Sequence, residues 1–250
     1  MSTDDNPQHP GEPAATPPSL PPLRAFARGL GVVVSIPAAL LCAAGVGFGA
    51  LARDGGLSIW HTVFITASMF ALPNQVVLVD QLARNETVLA AAFAVALAAL
   101  RMLPMTVTVT PFLQAGRRRP LLEVVAVHFV AVSAWVEAHR RLPAFPAEAR
   151  LMGYLGLGMG FWSAMLSGTA IGYALAGSVP VAVAATLLFL TPIYFVLSLL
   201  ATSRSRMDLF AIGMGCVLAP ALYLAVPGFD LLATGLIGGT LAFVLRERRL

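Results

Sequence analysis

Residues 152–175 read MGYLGLGMGFWSAMLSGTAIGYAL, and this stretch decides the fold class. It contains no charged side chain and exceeds the roughly 20 residues that an α-helix needs to cross a hydrocarbon core. Comparable apolar runs occupy residues 29–51, 87–113 and 179–202. Lipid accepts apolar surface that a soluble protein would have to bury, so these runs predict an integral membrane protein.

The composition of the whole chain supports the same class. The 250 residues are 58% hydrophobic and 11% charged, with a mean hydropathy of +0.82, whereas soluble domains carry about 25% charged residues. The basic residues are all arginine and lie mostly between the apolar runs. We therefore interpret the net charge of +4 as a topology signal, and we predict no nucleic-acid partner.

Residues 1–22 are rich in proline and carry three acidic side chains, which predicts a disordered cytosolic tail. Residues 23–250 are predicted to form one all-α bundle of about eight transmembrane spans, with both termini in the cytosol. In this arrangement eleven arginines lie inside and four outside, although the cluster Arg117–Arg119 falls on the outside against the rule. The predicted spans are 23–51, 58–82, 87–113, 121–142, 151–175, 180–202, 205–226 and 229–245.

An internal repeat is visible between two of these spans. Residues 70–78 and 189–197 share Phe, Pro, Val and Leu at identical offsets, although chance similarity is common in apolar sequence. Pro73 and Pro192 each lie inside an apolar run, where proline breaks or kinks a helix. Paired broken helices in two halves are typical of transporter substrate sites, so the pattern is compatible with three-helix internal repeats.

Arg101 is the most informative single residue, because it lies near the middle of the 87–113 run. A charge at that depth costs about 2.5–3.5 kcal/mol on insertion scales, so the side chain must face protein or water. Two interpretations stay open: an anchor for a substrate carboxylate, or a structural ion pair with Glu123 or Glu137. Asn74 and Gln75 beside Pro73 suit a zwitterionic ligand, or they form hydrogen bonds between helices.

The 121–142 span carries the candidate proton-coupling groups His128 and Glu137. In an uninterrupted helix Glu123 and Glu137 lie on nearly one face, and His128 lies on the opposite face. A histidine in this position suits a proton relay, because its ordinary pKa is about 6.5, but a buried histidine is more often a packing residue. The alternative interpretation of Glu137 is that it lies at the edge of the membrane without a role in proton coupling.

The sequence offers no enzymatic motif. A chain without lysine has no Walker-type phosphate loop, and it also lacks the metalloprotease motif HExxH and the hydrolase motif GxSxG. We therefore predict a protein that is not an enzyme and that binds no cofactor and no metal.

From about Arg28 to Leu200 the chain resembles the AzlC family, the large subunits of bacterial branched-chain amino acid permeases and exporters. Ser68–Gln75 resembles the family's Ser…Phe-Ala-Gly-Ala-Ser/Ala-Gln element, and Arg101 followed by Pro111 resembles its arginine-bearing third span. Thr169-Ala-Ile-Gly172 and Phe189–Phe195 resemble its later segments. This chain departs from the pattern at Leu72–Asn74, which replace small residues, and at Trp162, which is displaced.

The resemblance implies a secondary transporter in the bacterial cytoplasmic membrane that moves branched-chain or related small amino acids, with export as the expected direction. It also implies a small AzlD-like membrane subunit as partner, besides membrane lipid. The candidate substrate-binding residues are then Asn74, Gln75, Arg101, Thr169 and Tyr194. Two other classes stay open: an intramembrane enzyme that uses Glu123 and Glu137, and a non-transporting assembly subunit.

Overall fold

A computed structural model describes residues 20–116, 118–178, 206–225 and 230–247. Between 180 and 200 it describes 180, 182–183, 185–187, 189, 193, 196–197 and 200. Residues 1–19 of the predicted tail, Arg117, Pro192 and Tyr194 lie outside the described residues. The described part forms helices and no β-strand, as predicted for an all-α chain. Its α-helices are α1 (Pro22–Leu30), α2 (Ile36–Asp54), α3 (Ile59–Ser68), α4 (Leu72–Ala83), α5 (Val88–Ala99), α6 (Met102–Leu113), α7 (Pro120–His128), α8 (Val132–Arg141), α9 (Arg150–Leu175), α10 (Arg206–Ala225) and α11 (Asp230–Glu247).

The first apolar run is two helices rather than one. A 3-10 turn over Gly31–Val34 follows α1, and Ser35 then adopts an extended conformation before α2 begins. Pro37 lies in the first turn of α2, where the missing N–H of proline is not needed for a helical hydrogen bond. Among the described residues the first helix begins at Pro22, one residue before the predicted start, and Leu20 already packs against the core.

The long helix α9 packs along α1 and then along α2. Residue numbers rise together on α9 and on the helix it contacts, so the packed helices run parallel. Gly156 lies against the backbone of Phe26, Gly168 against that of Cys42, and Gly172 against that of Val46. A Cβ atom at any of these glycines would collide with a carbonyl oxygen. Small residues at this spacing let two helices approach closely, so the glycines of the 152–175 stretch serve helix packing. We call this contact the glycine seam.

Each of the next three predicted spans is interrupted. Residues 69–71 separate α3 from α4, a bend of 50° separates α5 from α6, and residues 129–131 separate α7 from α8. The prediction of one continuous helix over 121–142 is therefore wrong, and so is the placement of Glu123, Glu137 and His128 on its faces. The sequence around Phe129 contains no proline or glycine, so no helix-breaking residue marks the interruption there.

Two of these breaks lie against each other. The ring of Phe70, in the α3–α4 break, meets the ring of Phe129, in the α7–α8 break, edge to face at a centroid distance of 6.5 Å. Phe129 also packs against Gly158 of α9, where a larger residue would leave no room for the ring. Both rings are buried, so they exclude water from the junction.

By length and composition, α2 is the one helix of the described chain able to cross a membrane by itself. The bent pair α5–α6 makes a second if its halves form one span, and Leu209–Ala225 within α10 is apolar but shorter. Helices α10 and α11 pack against each other. The predicted number of about eight spans remains a prediction.

Candidate functional site

The site is built around the break between α3 and α4. Helix α3 begins at a Ser58 cap and ends at Ser68, because the backbone of Met69 is not helical and that of Ala71 is extended. Pro73 occupies the first turn of α4, where proline is well tolerated. The predicted break at Pro73 therefore lies just before it, over residues 69–71, and the proline starts the next helix.

Side chains from three helices donate to carbonyl groups at the break. The Nε2 amide of Gln75 donates at 2.5 Å to the carbonyl of Met69, which also accepts from the backbone N–H of Ala71. The indole Nε1 of Trp162 donates to the carbonyl of Ala67 at 3.0 Å, and Nε2 of His128 lies 3.1 Å from the same oxygen. A carbonyl can only accept, so Nε2 of His128 carries a proton in this contact. The break is thus a defined structure and not a frayed helix end.

Arg101 lies at the bend between α5 and α6 and contacts the start of α4. Its Nη2 donates to Oδ1 of Asn74 at 3.2 Å, and the Asn74 side chain is buried at 4% exposure. The two candidate residues named on the sequence as mid-span polar groups are therefore neighbours. The geometry follows from the chain path, because α4 and α5 pack against each other.

The ion-pair interpretation of Arg101 does not hold, because both proposed partners are engaged elsewhere. Glu123 accepts from Nε2 of Gln114 at 2.9 Å and from the backbone N–H of Arg119 at 3.0 Å. Glu137 pairs with Arg140 and Arg141. Nε of Arg101 is buried with no hydrogen-bond partner in the described part of the chain. The guanidinium of Arg101 therefore contacts the neutral side chain of Asn74 and keeps N–H donors available for a ligand.

Gln75 provides an acceptor in the same region. The side chain is fully buried, and its amide nitrogen faces the Met69 carbonyl, as a donor must. This orientation leaves Oε1 buried with no partner among the described residues. An unsatisfied buried acceptor costs about 1–3 kcal/mol, so a ligand that donates to it would recover that free energy.

Thr169 lies on α9 and joins it to α3. Its hydroxyl donates to the carbonyl of Met165 at 3.0 Å and accepts from the hydroxyl of Thr66 at 3.3 Å. Because the proton of Thr169 is already used, the residue offers a ligand only an acceptor lone pair. Tyr194 and Pro192, the remaining candidates of this kind, lie outside the described residues.

The candidate proton-coupling residues lie in different surroundings. His128 is the last residue of α7 and contacts the broken end of α3, next to the site. Glu137 is 3% exposed and lies in α8, where it accepts from Nη1 of Arg140 at 3.0 Å and from Nε of Arg141 at 2.6 Å. Both carboxylate oxygens of Glu137 are therefore engaged in ion pairs with neighbouring arginines.

Trp162 is the residue whose role the sequence did not reveal. The displacement of this tryptophan from the expected position was visible, but its contact with Ala67 depends on how α9 lies against α3.

Groups of three or more His, Cys, Asp or Glu side chains that could hold a metal are absent from the described residues.

A protein-family model described as "AzlC protein" matches residues 38–179 of the chain. The matched region runs from α2 to just beyond α9 and includes Asn74, Gln75, Arg101 and the glycine seam from α2 onward. No curated protein and no solved structure matches the chain.

Proposed function

The chain belongs to the AzlC family, and on this basis we propose that it is a multi-span transporter that exports branched-chain or related small amino acids across the bacterial cytoplasmic membrane. The family match covers more than half of the chain and contains the arginine and the broken helix of the candidate site. The proposal includes about eight spans, with both termini in the cytosol.

The outer surface of the helices supports placement in a membrane. Large apolar side chains point outward on several helices: Trp60 is 80% exposed, Val107 70% and Leu121 83%. A soluble protein rarely exposes apolar patches on this scale, whereas hydrocarbon is a favourable surrounding for them. The backbone groups freed at the α3–α4 break face protein partners, as a membrane interior requires.

The observation that carries the proposal is the state of Arg101. It is a cation at a bent helix, held by the neutral oxygen of Asn74 and without a carboxylate partner in the described chain. An uncompensated charge inside a membrane is expensive, and such residues commonly mark a substrate pathway. A substrate carboxylate would supply the missing negative charge through the two-point contact that guanidinium groups favour.

The neighbouring groups suit the other end of an amino acid. An ammonium group donates only, and the free Oε1 of Gln75 is a buried acceptor. Asn74 and Gln75 are consecutive residues, and Arg101 contacts Asn74, so the donors and the acceptor all lie near the start of α4. The residues around the break are apolar, with Phe70 and Leu72 both buried.

The same contacts favour transport over catalysis. An intramembrane enzyme would need its carboxylates free at one depth, but Glu123 caps α7 and Glu137 holds two arginines. We accordingly include in the proposal that the protein is not an enzyme. A small AzlD-like subunit as partner is part of the proposal on the family resemblance alone.

The test is substitution of Arg101 with transport as the readout. Arg101→Ala should reduce efflux of branched-chain amino acids from loaded vesicles to the level of loaded vesicles that contain no protein. Membrane insertion should stay intact because a costly charge is removed. Arg101→Lys should rescue poorly, since an ammonium cannot reproduce the planar two-point contact. Arg84→Ala is the control, because Arg84 is an exposed arginine that pairs, within the described part of the chain, with Asp80 one turn away. Normal efflux by the Arg101→Ala variant would disprove the role.

A further inference from the structure

A second polar region lies where the end of α8 meets α1 and the start of α9. Arg28, Arg140 and Arg141 line a cavity of about 350 Å³ here, together with Phe145. A second cavity of about 460 Å³, beside Ile36, is also lined by Arg140 and Arg141. Glu137 is the one carboxylate among the residues that line the two cavities.

The three arginines are held in place but not neutralised. Glu137 uses one nitrogen of Arg140 and one of Arg141, so each of these keeps further N–H donors. The guanidinium of Arg28 stacks over the ring of Phe145 at 4.9 Å from its centroid, and no carboxylate pairs with it in the described part of the chain. Three positive charges and one negative charge leave the region with a net charge of +2.

An apolar surface continues directly from these charges. Ile36, which lines the second cavity, is 75% exposed, and the preceding Val34 is 90% exposed. A small soluble anion would use the arginines but would gain nothing from these side chains. A molecule with an anionic head and hydrocarbon tails matches both parts of the surface.

We propose that this region binds an anionic phospholipid, with its phosphodiester held by Arg28, Arg140 and Arg141 and its acyl chains along Val34 and Ile36. The inference rests on the membrane placement and the topology in the proposed function and is independent of the transported substrate. Basic pockets between transmembrane helices on the cytoplasmic side are suited to anionic head groups. Under the proposed topology, Arg28, Arg140 and Arg141 all face the cytosol.

The buried Glu137 has a positioning role in this site. At 3% exposure it fixes Arg140 and Arg141 side by side through two ion pairs, so both present their remaining donors without a further loss of side-chain freedom. Glu137, the candidate for proton coupling on the sequence, thus shapes a lipid-binding surface.

The test uses the full-length chain, purified in detergent and mixed with cardiolipin, phosphatidylglycerol or zwitterionic phosphatidylcholine, with bound lipid counted by native mass spectrometry. We expect preferential retention of the two anionic lipids. Arg28→Gln removes one charge without breaking an ion pair and should weaken retention about fivefold, the effect of one arginine at an anionic surface. Arg84→Gln is the matched control on α4 and should leave retention unchanged.

Equal retention by the wild type and Arg28→Gln, or an equal loss in Arg84→Gln, would overturn the assignment. Displacement of cardiolipin by equimolar inorganic phosphate would overturn it too, in favour of a soluble anion. A full-length variant that combines Asp4→Asn, Asp5→Asn and Glu12→Gln tests a competing occupant. If this variant alone retained lipid, the acidic N-terminal segment would be the occupant of the arginine-lined region instead. Arg101→Ala should retain lipid normally, so a failure of transport and a failure of lipid binding are distinguished.

Discussion

At the scale of single residues, the contact between Arg101 and Asn74 makes a sharp prediction. Asn74→Asp changes one nitrogen to oxygen and places a carboxylate where Oδ1 now lies, 3.2 Å from the guanidinium. The resulting ion pair would occupy the donors meant for the substrate carboxylate. We expect efflux of branched-chain amino acids to be lost while the amount of protein in the membrane is unchanged. Efflux at the wild-type rate would show that the guanidinium does not bind substrate.

Gln75 gives a second prediction at this scale, on stability. Gln75→Leu removes the side-chain donor to the Met69 carbonyl, which then keeps the backbone N–H of Ala71 as its partner among the described residues. The loss of this one hydrogen bond should lower the free energy of unfolding by about 0.5–1.5 kcal/mol, measurable as a lower melting temperature in detergent. Gln81→Leu, on the same helix and partly exposed, is the control and should change the stability by less than about 0.5 kcal/mol. Equal effects of the two substitutions would contradict the capping role.

At the scale of helices, the glycine seam separates two kinds of glycine. Gly168→Ala drives a Cβ into the backbone of Cys42 and should cost about 1–3 kcal/mol. Gly215→Ala in α10 meets nothing within 4 Å, so it should be neutral or gain up to about 1 kcal/mol from helix propensity. Thermal melting of the two variants side by side checks this. A seam that tolerated alanine as well as Gly215 does would not be a close backbone contact.

At the scale of the whole molecule, the prediction concerns topology. Eight spans with a cytosolic N-terminus put the C-terminus in the cytosol as well, so a reporter that is active only outside the cytosol should be silent when fused after Leu250. The same reporter fused at Gly56, in the loop between the first two predicted spans, serves as the positive control. Activity after Leu250 would mean an odd number of spans.

The sequence predicted the features that depend on local composition. Apolar run lengths located the helical regions but not their interruptions, and Pro73 located the α3–α4 break to within a few residues. The mid-span depth of Arg101 and Asn74 predicted that they lie near each other. The α7–α8 break was missed because tertiary contacts stabilise it: Phe129 packs between Phe70 and Gly158. The hydrogen bond from Trp162 depends in the same way on the position of α9.

The glycines of α9 also differ in whether a second mutation can restore a protein that is destabilised by a glycine-to-alanine substitution. Gly168 and Gly172 face the backbone of Cys42 and Val46, and no substitution there moves a carbonyl oxygen out of the way. Gly153 instead faces the far edge of the Phe145 ring, and a smaller residue at position 145 would remove those atoms. A genetic screen for suppressors should therefore recover smaller residues at position 145 for alanine at 153, and none on α2 for alanine at 168 and 172. In natural variants Gly153 is free to covary with Phe145, whereas Gly168 and Gly172 change only if the two helices move apart.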